Sequence, residues 1–444
     1  MLLLSDGTVM GLTDTPPTGG GTFSTASNIW FRLTPDSHGS YVNGTWGIMA
    51  AMNDPRLYFA SQVLQDGRVF VAGGEYGAGG TGAEVYDPTV NAWTRVASPS
   101  GVSSYSDCIS EMLPDGTVLV SPVSGEAVTF NPFTNSISAA PTPLRNQDEA
   151  SWVKLPDNSI LTNDADSTLS ERYIPSMSQW INDGTLPVAL WDTNDGEIGP
   201  GILLPNGKAL FLGATGNTAL YTPSGNTTPG TWTAGPVIPG VQGTPDDPAA
   251  LLVTGNALCA VTQVPPSKAN YPNGTSFLEY DPIANSFNAE GSPTGFLATW
   301  PSYTCRFLAL PDGTVLFAYS TGTLFVYKPS GSPLAAAKPT ITSITQNNDG
   351  SYLLTGTLLN GISEGAEYGD DSQMSTNRPL VRLTDAGGNV SYARTYNWSS
   401  TGVATGITPL TTEFAKPPNG TYSVAVVANG VASAAANLTV VNPT

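Results

Sequence analysis

Residues 1 to about 335 alternate short apolar runs with polar turns, and one phrase of that alternation recurs. LLLSDGTVM turns at Gly7, VLQDGRVF at Gly67, MLPDGTVL at Gly116 and KLPDNSIL at Asn158. LLPNGKAL, LVTGNALC and ALPDGTVL follow, turning at Gly207, Asn256 and Gly313. Each phrase reads as two β-strands joined by a tight turn, because Gly and Asn take the positive φ such turns require. The stretch Arg56 to Val96 shows a whole unit. Leu57–Leu64 reads as a strand, Asp66-Gly67 as the turn and Arg68–Ala72 as a second strand ending at Gly73-Gly74. Glu84–Tyr86 is a third strand, closed by Asp87-Pro88, and Trp93 sits in a fourth.

The seven turns lie 42 to 60 residues apart. That period and four strands per unit predict an all-β fold, a seven-bladed kelch-type β-propeller over residues 1–335. Corners such as Tyr86-Asp87-Pro88, Phe130-Asn131-Pro132 and Tyr280-Asp281-Pro282, each with an aromatic, are placed to fill the wedges between blades. The last unit supplies three strands and the first begins almost at its turn. A strand upstream of Met1 is therefore expected to close the ring, since an open edge is a liability. After a linker at residues 333–339, residues 339–444 alternate as short strands and predict an immunoglobulin-like β-sandwich.

Composition narrows the function. Gly (48) and Pro (37) are abundant and charged residues few (11%), which suits a turn-rich β chain. The net charge of −19 argues against nucleic acid and anionic membranes. No apolar run reaches membrane-spanning length. Met1-Leu2-Leu3-Leu4 runs directly into the first turn and reads as a strand; a secretion signal has been removed or there is none. Cys108, Cys259 and Cys305 fall in separate units and read as buried free thiols. Seven N-x-S/T sequons, at Asn43, Asn226, Asn273, Asn389, Asn397, Asn419 and Asn437, fit an extracellular, secreted protein. Gly73-Gly74 and Gly77–Gly80 precede no helix and are not a phosphate loop, and Asn163–Ser167 lacks the Glu of a calcium-binding EF-hand.

Three stretches carry a resemblance. MNDPRLYFASQVLQDGRVFVAGGEYGAGGTGAEVYDPTVNAWTRV resembles the central blade of galactose oxidase and related kelch-type copper-radical oxidases. PSYTCRFLALPDGTVLFAYS resembles their late catalytic stretch, and YGDDSQMSTNRPLVRL the C-terminal loop that reaches into their propeller axis. The resemblance implies the same two-domain fold. That family holds copper with two tyrosines and two histidines and cross-links one tyrosine to a cysteine. Tyr58, in the context Arg56-x-Tyr58, matches the cross-linked tyrosine, Tyr76 replaces the tryptophan stacked over it, and Tyr303 matches the second tyrosine. The histidine positions are Thr304 and Gln373, and the cysteine position falls before Met1. The chain's only histidine, His38, reads as surface. Copper(II) favours imidazole nitrogen, so a copper-free relative with no cofactor of that kind is expected.

The resemblance also locates a mouth, because the family's ligands sit nine or ten residues before each turn. Counting back nine gives Tyr58, Asp107, Glu149, Ile198, Asp247 and Thr304, with Asp148, Glu197, Asp246 and Tyr303 beside them. The C-terminal loop would add Asp370, Asp371 and Gln373. A cluster of carboxylates thus stands where the family has copper. Two readings stay open. In one, the mouth binds a carbohydrate or other extracellular polymer, with Arg56 and the acids as polar contacts, Tyr58, Tyr76 and Trp300 as stacking faces, and calcium as an admissible ion. In the other, two of Asp107, Glu149, Glu197 and Asp247 act as the acid and the nucleophile or base of a glycoside hydrolase. A structural surface or filament component is a third reading, without a motif of its own.

Overall fold

The computed structural model describes residues 1–13, 26–77, 80, 82–98, 105, 107–122, 126–194, 196–266, 271–293, 297–319, 322–368 and 372–441, with backbone alone at 366–368 and 372–373. The fold is all-β, with only single turns of 3-10 helix among the described residues. Seven small antiparallel sheets follow in chain order through Tyr327, of the β-propeller type. Six have four strands in a simple meander, and the seventh has three, ending at Phe325–Tyr327. The sixth gains extra pairing, described below.

The strand pattern explains the layering. First and second strands, such as Ala60–Val63 and Val69–Ala72, are buried on both faces. Fourth strands, such as Thr45–Ile48 and Ser136–Ala139, are mostly exposed. First strands of successive sheets pack side by side, as Ala60–Val63 does with Ile109–Met112 and Ala249–Leu251 with Arg306–Ala309. Each sheet shares an apolar core with the next, and the corner aromatics fill it. Phe70 and Phe130 stack at 4.3 Å between the second and third sheets, and Trp30 and Trp93 at 5.9 Å between the first and second. Leu3, Val9 and Leu33 of the first sheet join Phe307, Val315 and Phe317 of the seventh in one core, so packing closes the circle.

Residues 340–440 form two further sheets that share one core containing Leu354, Phe414, Val381 and Val424. Two apolar-alternating runs in this unit, VSYARTYNW (residues 390–398) and GVATGI (residues 402–407), do not each form one strand. Val390–Ala393 joins one sheet and Thr395–Tyr396 the other. Residues 402–407 form no strand. Turn segments of the first three sheets hydrogen-bond to this unit. Thr395 N donates to Ser5 O at 3.0 Å, Asn397 N to Gln65 O at 2.6 Å and the Thr401 hydroxyl to Leu113 O at 3.0 Å. From the same unit a strap rises between the sheets. Its strand Ala366–Tyr368 pairs antiparallel with Ala249–Leu251, and Ser372–Gln373 returns against Ala60–Val63. The base of the strap is charged and buried. Arg378 donates to Leu3 O, and Lys154 contacts both Glu111 and Glu364.

A third difference bears on the site. Leu57–Leu64 is not one strand. Tyr58 is left-handed (φ 51°) and splits it into Arg56–Leu57, paired with Tyr76–Gly77, and Ala60–Val63. Gly73 makes the neighbouring turn possible. At φ +73° a Cβ there would stand 1.8 Å from Tyr105 O.

Candidate functional site at the mouth

Residues nine or ten positions before the turns lie at the other end of the first strands. Four of them share an uncommon backbone. Tyr58, Asp107, Glu149 and Asp246 have φ of 51°, 45°, 58° and 57°. Left-handed backbone at non-glycine residues costs of order 1–2 kcal/mol each and collects where a fold over-determines the chain for function. At Tyr58 the kink interrupts the strand; Asp107, Glu149 and Asp246 stand just before theirs begin.

Three carboxylates meet there. One oxygen each of Glu149, Glu197 and Asp246 lies within 4.8 Å of the other two, from the starts of three successive sheets. Glu197 is buried and accepts a hydrogen bond from the Tyr271 hydroxyl. Tyr271 packs edge-to-face on Tyr303 at 5.0 Å, and Tyr58 on Tyr76 at 6.0 Å. The Arg306 guanidinium sits 5.5 Å above the Tyr58 ring and donates to Tyr303 O and Cys305 O, so one cation borders the acids.

Glu75 is the residue the spacing missed. It follows Gly73-Gly74 rather than preceding a turn, and its N donates to Tyr58 O at 3.0 Å. Glu75 is exposed to solvent at the mouth, yet partial desolvation raises its carboxyl to about 7, with Asp107, Asp246 and Asp148 adding to the rise and Tyr76 opposing it. Burial and Asp246 also raise Asp148. Tyr271 and Arg306 were missed too. Neither sits at the counted position, and no signal in the sequence marks them.

Other expected residues are placed differently. Arg56 does not line the mouth; it is 0% exposed and donates to Gly73 O, Gly82 O and Glu84, holding the Tyr58 loop from below. Asp247 is fully buried, and burial first, then Asp246, push its carboxyl well above the usual range against Ser302 and Arg306. It cannot meet a ligand in the open mouth. Trp300 packs on Tyr319 at 6.2 Å. Asp370 and Asp371 lie outside the described residues, as does the Gln373 side chain.

Copper does not fit this donor set. Tyr58 and Tyr303 are present, but the Thr304 hydroxyl is committed to Pro301 O at 2.7 Å. The only imidazole, His38, is exposed in the loop whose Ser37 O accepts from Val390 N of the last two sheets. The three carboxylates instead suit a hard cation that takes oxygen ligands at 2.3–2.6 Å, which puts any two of them at most about 5 Å apart. No helix among the described residues is long and apolar enough to cross a membrane.

No protein-family model and no curated protein matches the chain. Among solved structures it is similar to a fungal alcohol oxidase of the AA5 family, in complex with copper, with a TM-score of 0.60 and 15% identity over 99% of this chain and 96% of that one. At that identity the likeness is one of fold, and this chain has a fold of that oxidase's type.

Proposed function

We propose that this protein is a secreted, copper-free relative of the galactose-oxidase-like fold that binds a carbohydrate or other polyhydroxylated extracellular polymer at its mouth. In this reading the seven sheets are the blades of a propeller spanning residues 1–335, and residues 339–444 are an immunoglobulin-like domain whose strap plugs its axis. The observation that carries the proposal is the meeting of Glu149, Glu197 and Asp246 inside a rim of Tyr58, Tyr76, Tyr271 and Tyr303. Carboxylates accept hydrogen bonds from sugar hydroxyls, and aromatic faces cover the apolar side of a pyranose ring. Calcium held by the three acids would present further coordination positions to vicinal hydroxyls. The likeness to a copper oxidase of this fold supports the location of the site and not its chemistry. Metal analysis of purified protein with a glycan array, read with and without chelator, tests the reading. Calcium and chelator-sensitive binding are expected; stoichiometric copper would overturn it.

A second reading rests on Glu75. A carboxyl raised to about 7 beside other carboxyls is suited to protonate a leaving glycosidic oxygen, while Asp107 or Glu149 acts as the partner carboxylate. Released sugar from the same array, abolished in Glu75→Gln, would favour this hydrolase.

A further inference from the structure

Lys154, Glu111 and Glu364 meet where three parts of the chain converge. They belong to the first strand of the fourth sheet, the first strand of the third, and the base of the strap. Their side chains are 1%, 2% and 9% exposed. Lys154 Nζ stands 2.7 Å from a Glu111 oxygen and 3.6 Å from a Glu364 oxygen. The other Glu364 oxygen accepts from Lys154 N at 3.2 Å, and Thr401 O accepts from Nζ at 3.1 Å. The amine is thus fixed by three elements, with both carboxyls in reach.

Burial of this cluster disfavours charge on both members of a pair. Arg378 is buried beside Glu364 and donates to Leu3 O and Ser375 O; burial lowers it to about 9 against the Glu364 charge, which still leaves it cationic at neutral pH. It balances one carboxylate. The remaining pair is Lys154 and Glu111, and an ion pair taken out of water repays its desolvation poorly. Burial, with Glu364 next, raises the Glu111 carboxyl well above the usual range despite Lys154. A proton passed from Lys154 to Glu111 leaves an amine touching a carboxylic acid, held as the fold holds any pair of reactants.

We propose that Lys154 and Glu111 condense into a side-chain amide, a covalent staple between the third and fourth sheets. The nitrogen lone pair adds to Glu111 Cδ. The Glu364 carboxylate takes the proton from the nitrogen and returns it to the departing hydroxyl. One C–N bond forms, one C–O bond breaks and water leaves; nothing is oxidised or reduced. A small cavity lined by Gln62, Glu111, Lys154, Asn377, Arg378 and Thr401 adjoins the bond that would break. The staple closes the loop of residues 111–154 and restricts the unfolded chain as a disulfide would.

The mass of the purified full chain, taken denatured, decides this. The expected protein is lighter than its sequence by one water. Trypsin should fail after Lys154 and yield one branched peptide joining residues 96–145 to 146–172. Lys154→Arg should restore the full mass, and Glu364→Gln should leave a fraction of the chains unlinked after folding. A wild-type chain of full mass, cleaved normally after Lys154, overturns the proposal whether or not the variants fold. So does an amide found at Glu364 instead of Glu111.

Discussion

Tyr58, Asp107, Glu149 and Asp246 hold the same left-handed backbone at the same place in four units. Tyr, Glu and Asp gain nothing from that conformation by themselves, though Asp and Asn tolerate it best. Asp107→Asn and Glu149→Gln keep shape and backbone preference while removing two charges. The double variant is expected to lose at least about tenfold in ligand affinity, some 1.4 kcal/mol, with an unchanged melting temperature. Binding isotherms at matched ionic strength check it, and unchanged affinity would place the site elsewhere. Glu75 gives a pH signature. Its folded value of about 7 lies above the unfolded 4.5, so the fold favours its protonated form. Its contribution to stability is present in full below about 4.5 and lost as pH rises through 7. The groups facing it are Asp107, Asp148, Asp246 and Tyr76. Melting temperature should therefore fall across that window in the wild type and fall less in Glu75→Gln.

Sheets depend on what fills the wedges between them. Phe130 is fully buried and stacked on Phe70 across two sheets. Phe130→Ala leaves a ring-sized cavity that rigid neighbouring sheets cannot collapse into, and should cost about 3–5 kcal/mol in urea unfolding. A smaller loss would mean that the second and third sheets can close on each other. Gly73→Ala should be destabilising by a different route, through its φ and the close Tyr105 carbonyl. It should also weaken ligand binding, because the displaced segment carries Glu75 and pairs beside Tyr58. At this scale the sequence was informative. All seven phrases recur as turns, since Gly and Asn chemistry is local, but the sixth turns at Gly255 (φ 93°) and not at Asn256, so nine residues back lies Asp246 rather than Asp247. The strand through Tyr58 was misread because a left-handed kink at a tyrosine has no local signal; packing imposes it.

The whole molecule is joined through its axis. Arg378 bonds to Leu3 O and Ser375 O, linking chain positions 375 residues apart. Arg378→Ala leaves Glu364 buried without that cation and should cost about 3–5 kcal/mol. Two calorimetric transitions are expected in place of one, with the last two sheets melting separately. A single transition at a lower temperature would show that the turn contacts near Ser5, Gln65 and Leu113 suffice to couple them.

Sequence alone determined what is local or periodic: the turns, the strand count per unit, the all-β class and the absence of copper's imidazoles around the matched tyrosines. With the family resemblance naming the strand end, it also put most of the acids at matching positions in their units, because a fixed distance from a turn fixes a position along a strand. Tertiary structure decided which of them meet. Glu149, Glu197 and Asp246 converge because three sheets bring their strand starts together, whereas Asp247, one residue on, is turned into the core. It also withdrew Arg56, whose charge is spent on Glu84 and two carbonyls, and brought in Glu75, Tyr271 and Arg306 from loops. The physical reason is that a strand's period fixes which face a side chain takes, but only packing of distant segments fixes what stands opposite it.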